Sequence, residues 1–309
     1  ERGFQQLHDI QYQSAIEILQ RALQQQREAE DYLGEIHTLI NIGIAQYRLS
    51  NFQDALLTFA TALKTIQTQV HSAESPSKVS LESRVLGEIG HTHHRLGNYS
   101  TALEYYQQAL TVLREKGNIS ELSQKEREVQ ALVLNYFSET LRRQGYYADA
   151  LAKTESALTI AQDLNQPILH GIVTENLGVI HDLLSQYNEA IQRYEIALRN
   201  VQDAGGDPYV EARILHSIGI NHLNRSQYSK ALENFQESLS LTQSIGDRAG
   251  EARAIGSIGL VSHEQGNYLH AIEQYKQALA IHQSVGDRYR QSEELHNLGA
   301  TYWTLGDYN

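Results

Sequence analysis

Small and large apolar residues recur along this chain in one fixed order. Each set opens on an aromatic: Tyr12, Phe52, Tyr99, Tyr147, Tyr187, Tyr228, Tyr268 and Tyr308. An Ala stands three residues later in every copy that reaches it, at Ala15, Ala55, Ala102, Ala150, Ala190, Ala231 and Ala271. A large residue follows at offset 7 (Leu19, Phe59, Tyr106, Tyr194, Phe235, Tyr275, with Thr154 the exception), then a small residue at offset 10 and a Leu at offset 11. These offsets share one face of a helix and do not alternate as a strand would.

A second helix is predicted ahead of each aromatic. Nine residues before it stands Gly3, Gly43, Gly90, Gly178, Gly219, Gly259 or Gly299, with Ser138 taking the place once. Apolar neighbours such as Ile258 and Leu260 bracket the Gly, and the missing side chain lets another helix come close. Two residues before the aromatic a turn position recurs: Ser50, Gly97, Gly145, Ser185, Ser226, Gly266 and Gly306. Gly is the residue that best adopts the left-handed conformation ending a helix. Each register therefore reads as two antiparallel helices joined by a tight turn. Alanines make room for a Tyr or Phe of the facing helix, whose burial contributes roughly 1.5–3 kcal/mol each. No single hairpin hides its apolar faces, so stability has to come from stacking.

The motif resembles the tetratricopeptide repeat, whose pattern is a Leu-Gly pair, an aromatic, an Ala, an aromatic and a second Ala. Here "NIG", "NLG" and "SIG" supply the first part, and "NYLHAIEQYKQAL" (267–279) supplies the rest. The likeness runs over the whole chain. The glycines are mostly spaced by 40 residues, where the common period is about 34. With "GDR" between repeats (Gly246–Arg248, Gly286–Arg288), the longer period is similar to the kinesin light chain type and to repeats of bacterial regulators. The resemblance implies an all-α, right-handed α-solenoid, a single superhelical domain over residues 1–309 with eight registers, the first and last truncated. It also implies a protein-binding function.

Composition narrows the field. The 309 residues carry a net charge of −12. An acidic balance speaks against general binding of nucleic acid or anionic membranes. No apolar run approaches the roughly 18 residues of a membrane span. Cys is absent, so disulfides and thiolate chemistry are excluded. Met is absent too, and the chain opens inside one helix and stops just after the Tyr of another, so a fragment of a longer protein is expected. All three prolines (Pro76, Pro167, Pro208) fall between repeats, where they break no helix. Two stretched spacings hold "HSAESPSK" (71–78), read as a loop, and "REKGNISELSQKERE" (114–128), read as extending the flanking helices.

By the family's geometry the first helix of each pair lines a concave groove, and the residue two before the Gly faces it. That column reads Asn41, Glu88, Tyr136, Asn176, Ser217, Ser257 and Asn297. In related long-period repeats Asn holds a peptide backbone there, because an amide both donates and accepts. The alternative is that these residues link adjacent helices. Arg84, Arg213 and Arg253 stand one helical turn earlier, where a guanidinium could fork onto a partner's carboxylate or pair with a neighbour such as Glu211 or Glu251. His91, His93 and His94 are the sharpest metal-like cluster, yet zinc needs three or four ligands and only Glu88 could join them. Polar groove lining by His91, His94, His216 and His296 is the reading favoured over a metal, and no cofactor is expected. Trp303 is expected to face the groove as well. No Walker loop, nucleophile elbow or His-Glu-x-x-His motif occurs, so catalysis is not expected. The expected function is an interaction scaffold holding a peptide or partner segment. The alternatives are a sensor or autoinhibitory arm of a larger effector, such as a protease or nucleotide-dependent switch, and end-to-end self-association.

Overall fold

The computed structural model describes residues 12–70, 76–115 and 122–306. Among these, every regular element is a helix: α1 (Tyr12–Glu28), α2 (Tyr32–Arg48), α3 (Phe52–Gln69), α4 (Pro76–Arg95), α5 (Tyr99–Glu115), α6 (Gln124–Arg143), α7 (Tyr147–Asp163), α8 (Pro167–Leu183), α9 (Tyr187–Asp203), α10 (Pro208–Asn224), α11 (Tyr228–Ile245), α12 (Arg248–Glu264), α13 (Tyr268–Val285) and α14 (Arg288–Leu305). They stack as helical hairpins into a right-handed α-solenoid.

The recurring residues do what their spacing predicts. Each repeat aromatic within the described residues is the first residue of an odd-numbered helix. All seven turn positions, serines included, have positive φ, from 56° at Ser226 to 84° at Gly145. The repeat alanines are fully buried. The repeat glycine admits the large residue of the next helix. A Cβ on Gly90 would stand 2.6 Å from the Tyr106 ring, and one on Gly178 would stand 2.6 Å from Tyr194. The two exceptions in the pattern prove to be one substitution in two parts. Ser138 replaces Gly where Thr154 replaces the aromatic, and their hydroxyls lie 2.6 Å apart in the space the ring fills elsewhere.

Helix starts explain the inter-repeat residues. Asp31, Asp207, Asp247 and Asp287 cap α2, α10, α12 and α14 through their carboxylates. Ser123 and Glu126 form a capping box at α6. In "GDR" the Gly ends one helix in the left-handed conformation and the Asp starts the next. Pro76, Pro167 and Pro208 each begin a helix, where the missing N–H costs nothing. The stretched segments lengthen α4 and α6 to 20 residues, against 17 or 18 elsewhere; residues 71–75 and 116–121 lie outside the described residues.

Even-numbered helices touch one another from repeat to repeat, whereas the odd-numbered helices have no comparable mutual contact. The even helices therefore line the short inner radius. The curvature is tight enough for early repeats to meet late ones. Arg48, ending α2, donates to both carboxylate oxygens of Asp207 at 3.3 and 2.9 Å. Ser50 donates to Asp247 and accepts from the Ala249 N–H, both at 3.0 Å. Apolar packing crosses the same seam, since Ile245 and Ala249 join the cluster that holds Ile42, Tyr47 and Phe52, with Leu49 against it.

Candidate functional site: a chamber on the inner face

Successive inner helices are tied together by a polar ladder. The residue three before the repeat Gly bonds to the residue two before the Gly in the next repeat. Asn176 donates to Asn135 at 3.2 Å, Ser217 donates to Glu175 at 2.9 Å, and His216 Nε2 lies 2.9 Å from Ser257 Oγ. Asn176 is turned further inward by Ser138 and Thr154, at 3.1 and 3.3 Å from the same amide nitrogen. Asn176, Ser217 and Ser257 of this column thus link adjacent inner helices.

Within the ring closed by the α2–α10 seam lies a cavity of about 280 Å³. Of the residues expected in a groove, it gathers His91, His94, Asn176, Arg213, His216, Ser217 and Arg253. Asn41, Arg84, Ser257, His296 and Asn297 are not in its lining. Arg84 pairs instead with Glu88 on its own helix at 3.7 Å. Trp303 is 72% exposed and also lies outside the lining. The remaining lining residues include Tyr47, Arg95, Tyr99, Arg142, Arg143, Tyr209, Tyr289 and Arg290. Most of those on α4 and α6 sit four or five residues after the repeat Gly or Ser. Helical steps of three and four carry the stripe from the Arg column through the amide column to these positions, so the same face could have been followed further along each helix.

The histidines have structural partners. His91 stacks on Tyr136 with ring centroids 3.8 Å apart, and its Nε2 lies 2.9 Å from the Tyr47 hydroxyl. His94 Nδ1 lies 2.8 Å from Thr140 Oγ1. Burial holds the pKa values of His91, His94 and His216 well below the usual imidazole range, with neighbouring arginines adding to it, so all three are neutral at pH 7. Among the described residues no group of three His, Asp or Glu side chains is placed to hold a metal ion.

Charges in the chamber divide unevenly. Its carboxylates are committed to protein donors. Glu139 and Glu175 share Arg213, Asp182 accepts from the Tyr194 hydroxyl at 2.7 Å and from Asn221, and Asp287 caps α14. The pairing of Arg213 is therefore with the preceding repeats and not with Glu211, while Glu251 pairs with Arg248 and leaves Arg253 aside. Arg95 rests over the Tyr47 and Phe52 rings and donates to the Tyr209 hydroxyl at 3.4 Å. Arg143 lies over Tyr289, 4.7 Å from the ring centroid. The Nε atoms of Arg142 and Arg253 are buried and have no hydrogen-bond partner. Burial and then the nearest arginines lower both pKa values to about 10.

Fold and inner face together define a helical-repeat solenoid with a ligand-sized space at its axis. The tetratricopeptide repeat profile matches residues 4–68, 170–244, 210–284 and 250–309, and a second profile of the same description matches 85–120. The chain belongs to the tetratricopeptide repeat family and is built as an interaction scaffold. Comparison with curated proteins gives no match. Similar solved structures include BtubC (BKLC) from P. vanneervenii, at 16% identity over 75% of this chain and 91% of that one, with a TM-score of 0.54. A Signal Transduction ATPase with Numerous Domains with a tetratricopeptide repeat sensor, from Pyrococcus horikoshii, is 17% identical over 96% of this chain and 41% of that one, with a TM-score of 0.53. A Rap protein in complex with Competence and Sporulation Factor is 12% identical over 97% and 82%, with a TM-score of 0.63. At these identities the likeness is one of fold.

Proposed function

We propose that the chain holds a peptide or an extended segment of a partner protein against the inner face formed by its even-numbered helices. The observation that carries this reading is the chamber itself, where tyrosines and arginines from α2, α4, α6, α10, α12 and α14 converge. Tyr and Arg are the side chains that dominate binding energy at protein interfaces. A Rap protein of similar fold is complexed with Competence and Sporulation Factor, which supports a binding role for this architecture. A peptide-display selection on the purified chain tests it. Enriched peptides should share a motif and should lose binding at least tenfold to Asn224→Trp, which narrows the chamber from an exposed lining position. Leu269→Trp, on an exposed site of α13, should bind normally. Equal binding by both variants would move the partner surface off the inner face.

A second reading places the chain as the sensing or autoinhibitory arm of a larger effector. The seam supports it, because breaking contacts such as Arg48–Asp207 and Ser50–Asp247 would open the ring, and the similar P. horikoshii protein is described as carrying a tetratricopeptide repeat sensor. Ligand-dependent change in ring dimensions, read by small-angle scattering, checks it; a rigid ring leaves no signal to pass on.

A further inference from the structure

The chamber concentrates positive charge in a chain whose net charge is −12. Six arginines line it against four carboxylates. The carboxylates are engaged with protein donors, as described above, and Arg213 takes two of them. Arg290 has Glu293 at 2.6 Å, while Arg143 reaches the same residue only at 4.0 Å. Arg95, Arg142 and Arg253 have no carboxylate within ion-pair distance among the described residues. Two of them keep a buried Nε–H with no acceptor. Leaving a buried charged donor unsatisfied costs free energy, and like charges held together add to that cost.

These guanidiniums come from both sides of the seam. Arg95, Arg142 and Arg143 end α4 and α6, whereas Arg253 and Arg290 lie near the starts of α12 and α14. An anion seated between them would satisfy donors on both sides at once. We propose that the chamber is a binding site for a small phosphorylated molecule, held by Arg142 and Arg253 with Arg95 and Arg143 beside them, and that its occupancy staples the ring shut. A phosphate ester brings close to two negative charges and three strong acceptor oxygens in a compact group. Forked guanidinium donors match that geometry. The cavity, about 280 Å³, is at the lower end of small-ligand pockets. Four of the five tyrosines in its wall, Tyr47, Tyr99, Tyr209 and Tyr289, offer faces to the organic part of such a molecule. The phosphate reading stands on the arginines and not on the peptide reading, but both use the same chamber, so an anion seated there would compete with a peptide.

Pyrophosphate is the probe. Calorimetric titration of the full chain at low ionic strength should show saturable one-to-one binding, and thermal unfolding should shift up by several degrees at saturation. Arg142→Gln and Arg253→Gln should each weaken binding at least tenfold, whereas Arg225→Gln, at an exposed position outside the lining, should leave it unchanged. A second readout separates a binding role from a structural one. Without ligand, Arg253→Gln should unfold at a temperature no lower than that of the unsubstituted chain, because it removes an uncompensated charge. Non-saturable stabilisation, equal in all variants, would mark a general salt effect and overturn the proposal. So would a lower melting temperature for unliganded Arg253→Gln combined with unchanged pyrophosphate affinity.

Discussion

At Gly219 a single added methyl group would overlap the Phe235 ring, which is fully buried and has no room to retreat. Overpacking of this kind costs typically about 1–3 kcal/mol. Gly219→Ala is expected to lose that much in urea denaturation, and Phe235→Leu introduced with it should recover part of the loss. Strictly additive losses would show that the ring is not what excludes the side chain. The natural precedent is Ser138 with Thr154, where both partners have changed together. A different constraint acts at Glu294. Burial is the largest influence on its carboxyl, and it raises the pKa from 4.5 to about 7, with Arg290 opposing. Its Oε2 has no hydrogen-bond partner and it fills the space beside Gly256. Between pH 4.5 and about 7 the folded chain holds this proton while the unfolded chain releases it. Stability therefore falls as pH rises through that window, by up to about 3 kcal/mol. Glu294→Gln should stabilise the chain at pH 8 and change little at pH 4, measured by thermal unfolding at both; equal effects would mean that the carboxyl ionises normally.

Among the elements, the inner helices begin in similar ways but carry unequal burdens. Asp31 caps α2 at an exposed site and does nothing else that the structure records. Asp247 caps α12 through the Gly250 N–H and also accepts from Ser50 across the seam. Loss of a cap costs about 0.5–2 kcal/mol, and an additional buried hydrogen bond contributes about 1 kcal/mol. Asp247→Ala should therefore destabilise more than Asp31→Ala, and Ser50→Ala combined with Asp247→Ala should cost less than the sum of the two. Matching losses for the two caps would place the seam bond outside the stability of the chain. The hairpins themselves were legible in the sequence, since offsets of 3, 7, 10 and 11 state a helical face and the left-handed turn residues state where it ends. The chamber was legible in part. Arg213 and Arg253 are read from the column six residues before the Gly and His216 from the scattered histidines, while Arg95, Arg142 and Arg143 lie on the same stripe beyond the Gly. The fate of the amide column was not readable, because Asn135 and Asn176 meet only once two helices are packed side by side.

Closure of the ring belongs to the whole molecule and leaves no local trace in the sequence. Arg48 and Asp207 are 159 positions apart, and they meet because small rotations between successive hairpins add up over the intervening repeats. In sequence, Arg48 reads as a basic residue near a helix end and Asp207 as a helix cap. Together they form a forked pair in which Asp207 is 2% exposed, and Arg48 also donates to the Tyr12 hydroxyl at 2.7 Å. Burial is the largest influence on Arg48 and works against its charged form, but Asp207, Tyr12 and Tyr209 together outweigh it and the pKa is pushed up. Removing one member of such a pair leaves the other charge buried, which costs about 3–5 kcal/mol. In an ordinary domain that loss would be uniform. In a solenoid each hairpin is stabilised by its neighbours, so the seam can fail while the stack stays folded. Arg48→Ala should accordingly raise the radius of gyration in small-angle scattering and leave the helical circular dichroism intact. High salt should not reproduce the opening, because a pair this buried is poorly screened. A simple drop in melting temperature at constant radius would mean that the ring is held by its apolar seam alone, around Leu49, Ile245 and Ala249.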